Sequence, residues 1–291
     1  MILVKNGLLY VLITAVLFTT HEPVTKLFAS EVNPYAITAI RFLIGSLVLL
    51  PFSVREIIKR DIKLKFKDYL IMGLLGCMFI CVSMPVLQVG VMIADSPALI
   101  AIIFSSNSII TILLSSLFLG EKLTNTKKIG VAVCVIGVLF SVDFTQGSNL
   151  LSVVMATFSA VAFSIYTVLC KKYMTRVSGV IQAGISFFIA SVILTTVLLV
   201  IGIDLTSGVS ENIVGLLYIA VAVTGIGYWL YFSAIKVGGP QMAAITFFIK
   251  PILIPVATYL INGIVPTWNT IVAIILVFVG VILASGALLK K

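Results

Sequence analysis

His21, Glu22, Arg41 and Lys250 are charged or chargeable side chains lying well inside long apolar runs of this chain. An ionisable group deep in a bilayer costs roughly 2.5–3.5 kcal/mol on insertion scales, so each is a candidate for function. Glu22 is followed by Pro23, which has no N–H to give and leaves carbonyls free nearby. A carboxylate in that setting could bind a proton or a cationic solute. His21 is the chain's one histidine, and an imidazole with an unperturbed pKa near ~6.5 could shuttle protons. Adjacent helix positions are about 100° apart, so His21 and Glu22 are expected on different faces. Lys250 precedes Pro251 and Pro255. A cation beside an interrupted helix suits a carboxylate, a phosphate or another anionic group, with an ion pair to Glu22 as the structural alternative.

Polar and aromatic residues add to this set. Asn107 sits among Ser105, Ser106, Ser108 and Thr111, hydroxyls that could face a solute or join helices. Tyr228-Trp229-Leu230-Tyr231-Phe232 puts Tyr228, Tyr231 and Phe232 on roughly one helix face and turns Trp229 away. That face could wall a cavity for an apolar or cationic solute, whereas an interfacial aromatic belt is the competing reading. Gln88 and Tyr166 are further polar candidates for such a cavity.

The elements that must position these residues are membrane helices. The chain is 61% hydrophobic and 10% charged with a mean hydropathy of +1.26, where soluble domains carry about 25% charged residues. Ten apolar runs lie near 7–28, 34–54, 68–91, 95–118, 127–143, 150–170, 179–202, 212–235, 240–262 and 268–288. Each approaches the ~20 residues a spanning helix needs, and none alternates with period two as a barrel strand does. The first run lacks a small-residue cleavage site and is expected to be a retained helix.

Basic residues orient these runs. With the N-terminus inside, cytoplasmic segments hold 16 of the 19 Lys and Arg residues, from Lys5 through Arg55–Lys67, Lys122–Lys128, Lys171–Arg176 and Lys236 to Lys290 and Lys291. External segments hold only Lys26, while Asp95, Asp143 and Asp204 fall near external ends. The positive-inside rule then predicts a multi-pass protein of the plasma membrane with both termini cytoplasmic. The net charge of +9 reports this topology. Its spread over separate cytoplasmic segments argues against nucleic-acid binding, and the Arg55–Lys67 segment is expected to touch anionic lipid heads.

The runs also repeat. Residues 97–138 align without a gap on 240–281, with Pro97/Pro240, Ala101/Ala244, Phe104/Phe247, Gly120/Gly263 and Gly137/Gly280 among the identities. At an offset of 145, Val16/Val161, Phe18/Phe163 and Lys26/Lys171 pair as well. Each half, 1–145 and 146–291, would hold five helices. Because five is odd, the second half must insert upside down, which is the usual build of a secondary transporter. Asn107 is the repeat equivalent of Lys250 and is expected to flank the same cavity.

Asn33-Pro34, Arg41-Phe42 and Pro51, followed by Gly120-Glu121-Lys122-Leu123, Gly130 and Gly137, resemble the EamA-type repeat of the drug/metabolite transporter superfamily. The resemblance covers essentially the whole chain as two repeats. It implies ten helices, a central cavity open alternately to each side, and movement of a small organic solute.

The expected fold is therefore an all-α membrane protein of ten transmembrane helices in two inverted five-helix repeats. Lys250, Asn107, Tyr228, Tyr231, Tyr166 and Gln88 are the expected substrate contacts, and Glu22, His21 and Arg41 the coupling or gating groups. At 1.5 Å per residue, Glu22 and Arg41 come to similar depths, ~10 Å from the outer face, so an ion pair between them is expected. The opposite charges of Lys250 and Glu22 favour an amino acid or related zwitterion, and the aromatics leave a lipophilic or quaternary cation as the alternative. Protons are the expected coupling partner, and lipid and a small-molecule solute the other partners. No nucleotide-binding loop, cofactor motif or metal site is expected; Cys77 and Cys81, four apart, are read as small buried hydrophobes. An intramembrane enzyme or sensor is the remote alternative, because the chain has no His-Glu-x-x-His, Gly-x-Ser-x-Gly or midplane aspartate pair.

Overall fold

In lipid every backbone N–H and C=O must find a partner within the protein, and an apolar segment does this by becoming a helix. The computed structural model describes residues 2–120, 124–140, 147–173 and 176–285, and these form helices without a strand. They are α1 (Ile2–Leu27), α2 (Pro34–Lys59), α3 (Phe66–Cys77), α4 (Met84–Ile93), α5 (Pro97–Ser105), α6 (Asn107–Leu119), α7 (Asn125–Phe140), α8 (Gly147–Tyr173), α9 (Gly179–Val200), α10 (Ile213–Leu217), α11 (Gly227–Asn262) and α12 (Trp268–Ser285). Glu121–Leu123, Asp143, Lys290 and Lys291, used in the repeat motif and the topology above, lie outside the described residues.

Among the described residues, seven helices are long and apolar enough to cross a membrane. Ile249–Asn262 and Trp268–Gly280 are shorter apolar helices. Leu117, Val200 and Leu260 are 78, 80 and 74% exposed, an outward apolar surface that water would not tolerate and lipid does. Polar side chains collect on the inside.

Three departures from the expected runs have local causes. The run 95–118 is broken at Ser106 between α5 and α6. There Ser105 donates to the Ala101 carbonyl (2.7 Å), Ser106 to that of Ile103 (2.6 Å) and the Asn107 amide to that of Phe104 (2.6 Å). Three successive side chains thus compete with the backbone for its acceptors. Two spans contain π-helical segments, Met78–Ser83 between α3 and α4 and Tyr218–Ile226 between α10 and α11. In the second, the Thr224 hydroxyl donates to the carbonyl five residues back, Ile219 (2.8 Å). Such wide turns recur at functional sites. Helical turns continue across the gap expected at 236–239, so α11 takes in both expected runs, but not as one straight rod. A straight helix would separate Tyr231 from Phe247 by ~24 Å, yet their ring centroids are 5.7 Å apart. The chain therefore doubles back between them.

Polar contacts at the helix ends join segments that the charge pattern assigns to the same face. Glu56 accepts from Arg60 (3.0 Å) and Lys236 (3.2 Å), and Arg176 reaches Asp68 (3.1 Å). At the opposite ends, Lys26 Nζ donates to the carbonyls of Met92 (2.8 Å) and Ala94 (2.5 Å), a cation on the last turn of α4. Asn212 donates to Glu31 (2.6 Å). Asp204 accepts from the backbone N–H and hydroxyl of Thr206 and from the Ser207 N–H. These bonds, led by the Thr206 N–H, hold its carboxyl below the usual range. Because the Arg176 side chain is largely exposed, Arg176→Gln is expected to change unfolding stability by no more than about 1 kcal/mol, read by thermal unfolding in detergent.

α7 and α12 touch closely. Gly137 sits against Leu276 and Val277, Gly280 sits against Gly130 and Cys134, and Cys134 Sγ donates to the Val277 carbonyl at 3.1 Å. Gly120 and Gly263 end α6 and α11 with φ of +69° and +68°, a left-handed cap that glycine adopts without strain.

Candidate functional site

α1 carries His21 and Glu22 into the interior just before Pro23. Pro23 cannot complete the backbone ladder. The Thr25 hydroxyl adds bonds to the carbonyls of His21 (2.9 Å) and Glu22 (3.0 Å). α11 supplies Lys250, whose Nζ donates to Glu22 Oε1 at 2.8 Å. His21 Nδ1 lies 3.8 Å from the same oxygen, and His21 Nε2 meets the Arg41 guanidinium from α2. A guanidinium only donates. His21 Nε2 can therefore only accept in this contact, which leaves Nδ1 turned toward Glu22. Arg41 Nε donates to the Thr224 hydroxyl at 2.8 Å, and its guanidinium carbon lies 4.7 Å from the Phe42 ring centroid.

The result is a chain of contacts, Lys250–Glu22–His21–Arg41–Thr224, drawn from four segments. His21, Glu22, Arg41 and Lys250 are only 5, 1, 5 and 4% exposed. One carboxylate thus shares the cluster with a lysine and an arginine, one acidic group against two basic ones. Buried charge of that kind is stable only when paired and hydrogen-bonded, and Glu22 Oε2 has no partner.

This geometry corrects the expected pairing. Glu22 and Arg41 do not meet directly; Lys250 takes the carboxylate and His21 stands between it and Arg41. His21 and Glu22 both point inward despite the angle between their positions, because both side chains are long enough to converge on one seam. The alternative reading of Lys250 as the partner of Glu22 is the one the geometry adopts.

Asn107 opens α6 at the break. Its side-chain amide donates to the Phe104 carbonyl, and its own carbonyl accepts from Ser164 at 2.8 Å. Lys250 Nζ lies 5.9 Å from the Phe104 ring centroid, so Asn107 and Lys250 are linked through Phe104. Tyr228 packs on Phe18 (5.0 Å between centroids) and Phe187 (5.1 Å), and Tyr231 on Phe247. Tyr166 stacks on Phe79 at 4.9 Å. Trp229 is turned away and stacks on Phe52 (4.8 Å). Gln88 is buried, and its Nε2 has no partner.

Sequence reasoning missed the hub of this aromatic wall, Phe79, and the Arg41 partner Thr224. Thr224 had a faint signal as a lone hydroxyl in an apolar run. Phe18/Phe163 and Phe104/Phe247 had a stronger one, since both repeat-matched pairs belong to the wall. Among the described residues no three His, Cys, Asp or Glu side chains converge as metal ligands.

A model of the EamA-like transporter family matches residues 5–142 and again 150–286. An uncharacterized transporter of Clostridium kluyveri is 31% identical over 289 residues, 96% of this chain and 93% of the relative. The uncharacterized transporter YvbV of Bacillus subtilis is 26% identical over 250 residues, 84% of this chain and 79% of its own. A solved crystal structure, 15% identical and covered to 99% in both chains, superposes with a TM-score of 0.66, a likeness of fold. With matches across both halves, the multi-pass helical build and a charged, aromatic interior, this chain belongs to the EamA-like transporter family.

Proposed function

We propose that this protein is a secondary transporter of the plasma membrane that moves an amino acid or related zwitterionic metabolite by alternating access. Ten spans in two inverted five-helix repeats, 1–145 and 146–291, with both termini cytoplasmic, form its frame. The two ranges matched by the family model support the halves. The reciprocal contacts of Gly137 and Gly280 and the left-handed caps at Gly120 and Gly263 support the duplication. Contacts that sort by predicted face support the topology.

The observation that carries the substrate class is the buried Lys250–Glu22 ion pair with Arg41 close by. A zwitterion can replace both halves of that pair. Its ammonium group takes Glu22, its carboxylate takes Lys250 with Arg41 behind, and its side chain meets the aromatic wall around Phe18, Tyr228 and Tyr231. Exchange of one buried pair for another avoids stranding a charge, which single-sign solutes cannot do. Asn107, Gln88 and Tyr166 complete the polar lining, Gln88 with a free donor. His21, between Glu22 and Arg41, couples the two charges and gates the pair.

The aromatic wall favours a second reading, export of lipophilic or quaternary cations. Flux into proteoliposomes separates the two. Labelled amino acids are expected to enter and to compete with one another, whereas uptake confined to quaternary amines would replace the first reading with the second. Glu22→Gln keeps an acceptor for Lys250 and is expected to abolish the dependence of flux on pH. An unchanged pH profile would remove Glu22 from proton coupling.

A further inference from the structure

Six buried side-chain atoms among the described residues lack a hydrogen-bond partner, and four of them are on α1 and α11: Glu22 Oε2, Thr246 Oγ1, Thr258 Oγ1 and Asn262 Oδ1. On α11, Lys250, Ile254, Thr258 and Asn262 follow one another at steps of four, so each is the neighbour of the next in a row that winds about 40° around the helix per step. The bonds that this row does make go to α1, Lys250 to Glu22 and Asn262 Nδ2 to the Pro23 carbonyl at 3.0 Å. Ile254, the apolar member of the row, packs on Ala98 and Ala101 of α5 and closes that side.

The two threonines, with Thr195 of α9, depart from the habit of the other buried threonines. Thr14, Thr19, Thr25, Thr38 and Thr157 each donate to the carbonyl one turn back, the ordinary refuge of a hydroxyl in a membrane helix. Thr246 and Thr258 are 0 and 2% exposed and do not. An unpartnered hydroxyl in a dry interior is costly, and buried polar groups without protein partners are served by ordered water. Asn262, at the end of the row, is partly exposed.

We infer that the α1–α11 seam holds a file of water running from Asn262 past Thr258 to Glu22 Oε2, and that this file carries protons between Glu22 and the aqueous phase at the Asn262 end. A proton arriving on Oε2 neutralises the carboxylate, releases Lys250 from its pair and leaves Lys250 and Arg41 as two cations facing the site. The step therefore favours an anionic group of the solute. The ionisable groups around Glu22 are His21 on α1, Lys250 and Tyr228 on α11 and Arg41 on α2; Tyr231 of α11 packs on Phe18, and Tyr218, at the start of the second π segment, pairs with the Thr20 hydroxyl. α4 and α5 carry none. The inference rests on the transporter reading for its purpose, and its geometry stands apart from that reading.

Two measurements test the file without knowledge of the solute. Thr258→Cys in lipid nanodiscs is expected to react with a hydrophilic thiol reagent at least about tenfold faster than Val256→Cys, because the reactive thiolate forms only where water reaches. Val256 is on the lipid side of the same helix, and the native cysteines supply a background that is subtracted. Thr258→Val is expected to leave Tm unchanged or lower, and Thr258→Ser to match the wild type. In a dry seam, deleting an unpartnered hydroxyl would raise Tm by several degrees. Equal reactivity of the two cysteines, or such a rise, overturns the file. Flux with an unreactive position 258 would overturn the file and leave the transport reading intact, whereas a reactive position 258 without flux of any solute would spare the file and remove the transport reading.

Discussion

Lys250→Met is expected to abolish solute flux and to lower the stability of the protein by about 3–5 kcal/mol, the usual cost of stranding one partner of a buried ion pair. The stranded group is Glu22, 1% exposed, with Oε2 already unpartnered and His21 Nδ1 no nearer than 3.8 Å to Oε1. Thermal unfolding in detergent reads the loss. Because a variant that unfolds cannot transport, the single substitution does not by itself distinguish a binding group from a lock. The double variant Glu22→Leu with Lys250→Met does. Exchanging both partners for apolar side chains is commonly neutral or stabilising, so the double variant should recover Tm. Flux should stay absent, since both charges that exchange with the zwitterion are gone. Recovery of flux together with Tm would show that the pair only holds α1 to α11, and would move the site away from it.

The helices themselves were legible because lipid leaves an apolar run little choice of conformation, and α2 and α9 begin and end within a few residues of the expected limits. Partner choice inside the bundle was not legible. Depth along a helix places Glu22 and Arg41 at one level, but it does not say which helix lies beside α1. That neighbour is α11, and the pair formed spans 228 positions of sequence. The Ser106 break depends on three side chains choosing carbonyls over solvent-free alternatives, and the π segments on one residue's worth of extra winding. Neither has a composition signature. Phe79 fails for a related reason, since it is one phenylalanine among 18 and becomes a hub only once α2, α8 and α9 surround it. The duplicated positions fared better. A residue that serves the same role twice leaves a trace at a fixed offset, as Gly120 and Gly263 do.

Gly280→Leu and Gly137→Leu are each expected to lower stability by about 2–3 kcal/mol through overpacking, and Ala at either position by somewhat less. A Cβ on Gly280 would stand 2.5 Å from Cys134 Sγ, 2.7 Å from the Gly130 carbonyl oxygen and 2.8 Å from the Cys134 nitrogen. On Gly137 it would stand 2.8 Å from Leu276 Cβ and 3.0 Å from the Val277 nitrogen. Backbone atoms cannot swing aside as side-chain ends can, so α7 and α12 would have to part, and close approach through small residues is what holds membrane helices together. The pattern is reciprocal. Cys134 and Val277 are equivalent at the offset of 143, as are Gly137 and Gly280, and each glycine packs on the equivalent of the residue that its own counterpart touches. That is how a two-fold axis arranges an interface. An axis lying between α7 and α12 requires both substitutions to be harmful, with Gly280 at least as sensitive because more of its neighbours are backbone. If leucine at 137 leaves Tm unchanged while leucine at 280 unfolds the protein, the contacts are unrelated and the inverted-repeat reading loses this support. If both fall together and solute flux falls with them, the α7–α12 contact is a fixed pivot that the two halves need as they rearrange around Lys250 and Asn107.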